Sequence, residues 1–187
     1  GDVVAVNASG SIYEDYDLDL PEAAITTHGD YADGIEARAE YGTVYAYNNG
    51  TITTYGESST GIAVSGQTVE VHNYGNIYTS GEYAHGIIAY SESPDTTTVV
   101  NGGVIEATGE ETNGIRAFGP TVNVTNLEDG DIYAEDDALY IAEAEVVTVT
   151  NHGTIGSYGS DGIDIQYAEA ATVTNHGDMN SNEAGIE

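Results

Sequence analysis

The sequence predicts an all-β fold: a parallel β-helix (β-solenoid) of about seven turns, ~25 residues to the turn, with three short strands per turn. Three observations carry this. The first is a recurring asparagine that closes an alternating apolar run, at Asn7, Asn48, Asn73, Asn101, Asn126, Asn151 and Asn175. The last five intervals are 25, 28, 25, 25 and 24 residues. The second is a shared phrase after each asparagine. A glycine comes next, an aliphatic residue stands two positions further on (Gly75–Ile77, Gly153–Ile155), and a Gly-Ile pair such as Gly86-Ile87 or Gly162-Ile163 comes later, with Ala138-Leu139 in one copy. The third is the local period. In TVEVHNYGNIYTSGEYAHGIIAY (68–90), Val69, Val71 and Asn73 share one face, Ile77 and Thr79 a second, and Ile87 and Ala89 a third. These are period-2 runs separated by glycine-containing corners. No 3.6-residue apolar spacing persists, and the repeat is too short for helical hairpins.

Stacking such turns aligns like with like. The expected inward ladders are Val44/Val69/Val122, Ile52/Ile77/Ile105/Ile132/Ile155 and Ile62/Ile87/Ile115/Leu139/Ile163. At about 4.8 Å per turn, seven turns rise roughly 34 Å. Asn48, Asn73, Asn101, Asn126, Asn151 and Asn175 should form a ladder at one corner, their amides bonding along the stack. The corner glycines suit a positive φ or a close approach of backbones. The first repeat differs. Asn7 and Asn48 are 41 residues apart, while ITTHGDYADGIEA (25–37) matches ITTYGESSTGIAV (52–64) in spacing. The chain therefore reads as a single solenoid domain, 1–187, with an acidic insertion at about 8–24.

Composition narrows the function. There are 32 acidic residues and two basic ones, Arg38 and Arg116, for a net charge of −30. That charge opposes binding to nucleic acid or to an anionic membrane surface. It suits salty or divalent-rich surroundings, where it is screened. The 40% hydrophobic content and the regular patterning argue against disorder. Without cysteine there are no disulfides, thiolate chemistry or Cys-type zinc sites. No apolar stretch approaches the ~18 residues of a spanning helix, so no membrane insertion is expected.

The recurring phrase in VTVTNHGTI (147–155) and TVEVHNYGNI (68–77), followed by Gly-Ile, resembles the β-solenoid repeats of secreted bacterial surface proteins, autotransporter passenger domains and haemagglutinin-like adhesins among them. The likeness covers residues 25–187. It implies an extracellular, secreted or cell-surface protein with an adhesive or structural role. The C-terminal membrane barrel of autotransporters has no counterpart in this sequence.

Chemistry-bearing constellations are sparse. Carboxylate pairs are inevitable among 32 acids and do not single out a glycosidase site. A polyuronate lyase would need cations that only Arg38 and Arg116 could supply, so no enzyme is expected. His152 and His176 come directly after successive ladder asparagines and should stack. Calcium is the one cofactor the acids suggest, through Asp129, Asp131, Asp136 and Asp137, hard oxygen donors close together in sequence. Thr148/Thr150 and Thr172/Thr174 stack over two turns only, too few for a flat ice-binding face. Tyr45, Tyr47, Tyr78, Tyr90, Tyr133 and Tyr140 point outward, as aromatics at a sugar-binding or packing surface would.

Solenoid ends expose strand edges and core, and an uncovered edge is a template for pairing. The sequence opens on VVAVN, a first-strand phrase, and closes on AGIE, a third-strand phrase. Val3, Val4, Val6 and Asn7 at one end, and Gly185 and Ile186 at the other, are the expected assembly interface. A heterologous contact of this kind does not close, and it builds a filament. The expected function is a structural subunit of an extracellular filament, a head-to-tail homopolymer whose assembly depends on salt or Ca²⁺. The alternative is an adhesin fragment binding surface glycans through a Tyr-rich face. A carbohydrate-active enzyme ranks third.

Overall fold

A computed structural model describes residues 1–7, 23–92 and 94–187. Strands are numbered in chain order, and they assemble into three parallel sheets that wind around one core. Sheet A holds β1 (Val3–Asn7), β4 (Thr43–Asn48), β7 (Thr68–Asn73), β10 (Thr96–Asn101), β13 (Thr121–Asn126), β16 (Val146–Asn151) and β19 (Ala170–Asn175). Sheet B holds β2 (Ala24–Thr27), β5 (Thr51–Thr54), β8 (Asn76–Thr79), β11 (Val104–Ala107), β14 (Asp131–Ala134), β17 (Thr154–Ser157) and β20 (Asp178–Asn180). Sheet C holds β3 (Ile35–Arg38), β6 (Ile62–Gly66), β9 (Ile87–Ser91), β12 (Ile115–Phe118), β15 (Leu139–Ala142) and β18 (Ile163–Gln166). Among the described residues there is no helix.

The predicted fold class holds, with about six turns rather than seven. Six turns have all three strands. The seventh has β19 and β20, but its third side is a single bridge between Ile163 and Ile186. Register tracks the repeat, with Asn48 on Asn73, Ile52 on Ile77 and Ile62 on Ile87. Most of the expected insertion lies outside the described residues, as do Gly10 and Ile12, the glycine and aliphatic residue of the shared phrase after Asn7. Its expected last residue, Ala24, belongs to β2 and pairs with Thr51, so Ile25 takes the place beneath Ile52. The 28-residue interval between Asn73 and Asn101 has its extra length between sheets C and A, where four residues separate β9 from β10 and one separates β6 from β7.

The core is a set of vertical ladders. Ile52, Ile77, Ile105, Ile132 and Ile155 are fully buried, as are Ile62, Ile87, Ile115, Leu139 and Ile163. Each contributes on the order of 1.5–3 kcal/mol by burial. The valine column of sheet A runs from Val3 to Val147 with one interruption and ends on Ala171. Thr97 pairs with both Val69 and Val122. It is fully buried, and its hydroxyl donates to the Phe118 carbonyl at 2.7 Å, which removes the cost of a polar atom there.

The corner glycines serve close approach. A Cβ on Gly75 would run into the carbonyl of Gly50 one turn below. A Cβ on Gly61 would lie 2.6 Å from the Gly86 carbonyl oxygen. Among described glycines only Gly42 and Gly119 have the positive φ that was the other expectation. Between sheets B and C the left-handed positions fall instead on Tyr31, Ser58, Tyr83 and Glu111, at φ between 52° and 56°.

Candidate functional site

The asparagine ladder stands at the corner between sheets A and B. Asn7 Nδ2 donates to Asn48 Oδ1 at 2.8 Å, and the chain continues through Asn73, Asn101, Asn126, Asn151 and Asn175 at 2.7–2.9 Å per step. Asn48, Asn73, Asn101, Asn126 and Asn151 are fully buried. Most of these amides do a second job by closing the corner: Asn101 Nδ2 also donates to the Gly103 carbonyl at 2.9 Å, and Asn151 Nδ2 to that of Gly153 at 3.2 Å. Such pairing is what makes a buried amide tolerable. Every step donates in the same sense, from the N-terminal turn toward the C-terminal one. The ladder therefore has a direction, with Asn7 Oδ1 as its acceptor end and Asn175 Nδ2 as its donor end. Asn175 is exposed.

The end faces divide the expected interface residues. Val3 and Asn7 sit over the core, together with Ala5 and Ile25, which the repeat pattern did not single out. Val4 and Val6 lie on the outer flank of sheet A, 68% and 60% exposed, and they do not point along the axis. At the other end Ile186 is 48% exposed beside Gly185. Val173 and Met179 are the further core-facing residues there. Alternation within VVAVN and ATVTN was the available signal for Ala5 and Val173.

A second ladder was not foreseen. It occupies the position just before each Gly-Ile pair, at the corner between sheets B and C. Asp33 Oδ1 accepts the Thr60 N–H at 2.7 Å. His85 Nδ1 accepts that of Asn113 at 2.9 Å. Asp137 Oδ1 accepts that of Asp161 at 3.1 Å, and Asp161 Oδ1 that of Ala184 at 2.6 Å. The residue types differ from turn to turn, but each of these side chains offers an acceptor. Burial raises the carboxyl pKa of Asp33 and Asp137 despite these bonds, and burial likewise raises that of Asp164.

Arg38 and Arg116 have different settings. Arg38 is exposed and pairs with Glu36 at 2.8 Å. Arg116 lies on the outer face of sheet C, among aromatic neighbours. Its guanidinium lies 5.3 Å from the Phe118 ring centre and 5.1 Å from that of Tyr140, and Nη1 is 3.2 Å from His85 Nε2. Burial, and then Arg116, lower the His85 pKa to about 4. The ring is neutral, and because Nδ1 accepts from Asn113 its proton is on Nε2. Two donors therefore meet at Nε2 and Nη1, and Arg116 Nε is buried with no hydrogen-bond partner.

The four aspartates suggested for calcium are not brought together. Asp129 and Asp131 stand at the start of β14, whereas Asp136 and Asp137 lie beyond its end. Asp137 is committed to the second ladder. Among the described residues, no group of three or more His, Asp or Glu side chains could hold a metal ion. His152 and His176 do stack, with ring centres 5.1 Å apart. The tyrosines form no single face: Tyr45 and Tyr47 are on sheet A, Tyr78 and Tyr133 on sheet B, Tyr90 and Tyr140 on sheet C.

Searches of family models, curated proteins and solved structures give no match to this chain. Among the described residues, no helix is long and apolar enough to cross a membrane.

Proposed function

We propose that this protein is a structural subunit that extends by head-to-tail stacking of solenoid end faces into an extracellular filament. The observation that carries the proposal is the direction of the asparagine ladder. A second copy placed on β19 with its β1 in the running register sets its Asn7 Oδ1 above Asn175 Nδ2, which continues the ladder across the junction. The same register places Ala5 over Val173, Ile25 over Met179 and Ile35 over Ile186. Apolar residues then meet at each of these positions, as they do within the chain. Edge strands favour this kind of continuation, and a non-closing contact propagates.

The net charge of −30 opposes association. Salt or divalent cations in the medium weaken that repulsion, so assembly is expected to be salt-dependent. The extracellular setting rests on the resemblance to bacterial surface repeats and on the charge. The test is sedimentation velocity at low and high salt, with and without Ca²⁺, on the wild-type chain and on Met179→Asp. Salt-induced association that Met179→Asp abolishes supports the proposal. Wild-type chains that stay monomeric in every condition would sink it.

A further inference from the structure

We infer that the outer face of sheet C carries a binding groove for a neutral oligosaccharide. This inference does not rest on stacking, because that face lies along the flank of the solenoid. The groove arises from side-chain size in register. Arg38 of β3, Ser65 of β6 and Tyr90 of β9 are stacked neighbours. In the adjacent column Ala63 lies between Glu36 and Ile88. The outward residues of β6 are thus small, while those on both sides are long. The result is a trough along β6 with a volume of about 650 Å³, within the range of roughly 300–1,000 Å³ seen for small-molecule sites.

The lining identifies the class of occupant. One wall is Tyr90, 44% exposed, an aromatic surface suited to the apolar face of a sugar ring. The opposite wall is Arg38, a planar fork of donors held in place by Glu36. Ser65 offers a hydroxyl from the floor, and Glu40 and Glu92 offer carboxylate acceptors at the end nearest sheet A. With Asp33, the lining carries three carboxylates against one guanidinium. That balance repels an acidic ligand. The mixture of acceptors, donors and one aromatic wall suits a neutral polyhydroxyl chain, whose hydroxyls donate to the carboxylates and accept from Arg38.

The test is calorimetric titration of the full chain with cello-, xylo-, malto- and chitotetraose, with tetragalacturonate as the acidic control. The variants are Tyr90→Ala and Ser65→Leu. Both positions face outward, and the melting curve of each variant checks that the fold is kept. The expected result is saturable binding of at least one neutral sugar, weakened about ten-fold or more by Tyr90→Ala and by filling the floor with Ser65→Leu. The inference is overturned if no neutral sugar binds at millimolar concentration, if both variants bind as the wild type does, or if tetragalacturonate binds as tightly.

Discussion

Asn151 Nδ2 donates to Asn175 Oδ1 at 2.7 Å, joining a fully buried amide to one that is exposed at the last turn. The same bond therefore has different worth along the stack. Asn101→Ala, in mid-ladder, deletes bonds to Asn73, Asn126 and Gly103, and leaves their buried groups short of partners. A loss of about 2–4 kcal/mol is expected. Asn175→Ala should cost under about 1 kcal/mol, because water replaces what is lost. Urea denaturation of both variants checks this. Equal losses would mean that burial does not set the worth of each bond.

Close packing at the corners predicts a sharp contrast between two glycines. Gly75→Ala forces a methyl group against the Gly50 backbone, which cannot retreat without breaking sheet A or B. More than about 3 kcal/mol, or failure to fold, is expected. Gly29→Ala meets only the Ala32 Cβ, at an ordinary 3.6 Å. It should lie within about 0.5 kcal/mol of wild type. Thermal melts of the pair decide the matter.

Tyr167 holds φ near 57° and is 83% exposed, so it bears the left-handed conformation with little packing to offset it. Tyr167→Asn should stabilise the fold by roughly 0.5–1 kcal/mol, since asparagine tolerates this region better. A lowered midpoint in urea would show that the tyrosine ring does more than its exposure suggests.

The neutral, buried His85 sets a pH dependence. Its folded pKa, about 4, is below its ordinary value of 6.5. Its contribution is therefore fully present above about pH 6.5 and is lost as the pH falls through about 4, where the folded form must accept a proton beside Arg116. The loss is on the order of 3 kcal/mol. Asp33, Asp137 and Asp164, whose pKa values are raised, act in the opposite sense: acidification relieves them. His85→Asn keeps an acceptor for the Asn113 N–H and removes the titration. Stability measured from pH 7 to pH 4 should fall less steeply in this variant than in the wild type. Parallel curves would contradict the assignment.

The fold was legible in the sequence because a stacked repeat enforces likeness. Ile77 and Asn73 recur because an inward position meets its own counterpart one turn away, so residue type is copied with place. The second ladder was not legible because its requirement is looser. Any acceptor satisfies the next turn's N–H, so Asp33, His85, Asp137 and Asp161 share a role without sharing a letter. The setting of Arg116 was not legible for a related reason. Alternation gave its side of the strand correctly, but not the flanking Phe118 and Tyr140 that cover it. The four aspartates suggested for calcium were grouped by nearness in sequence, which is not nearness in space. Strand β14 runs between the two pairs and holds them apart.

The proposed filament requires the two end faces to fit one another. Electron microscopy of the purified chain in high salt and millimolar Ca²⁺ reads that fit. The seven stacked strands of sheets A and B, at about 4.8 Å each, predict filaments with an axial subunit repeat of roughly 34 Å, lost in Met179→Asp. Discrete particles one solenoid long in every condition, or fibres with an unrelated repeat, would contradict it.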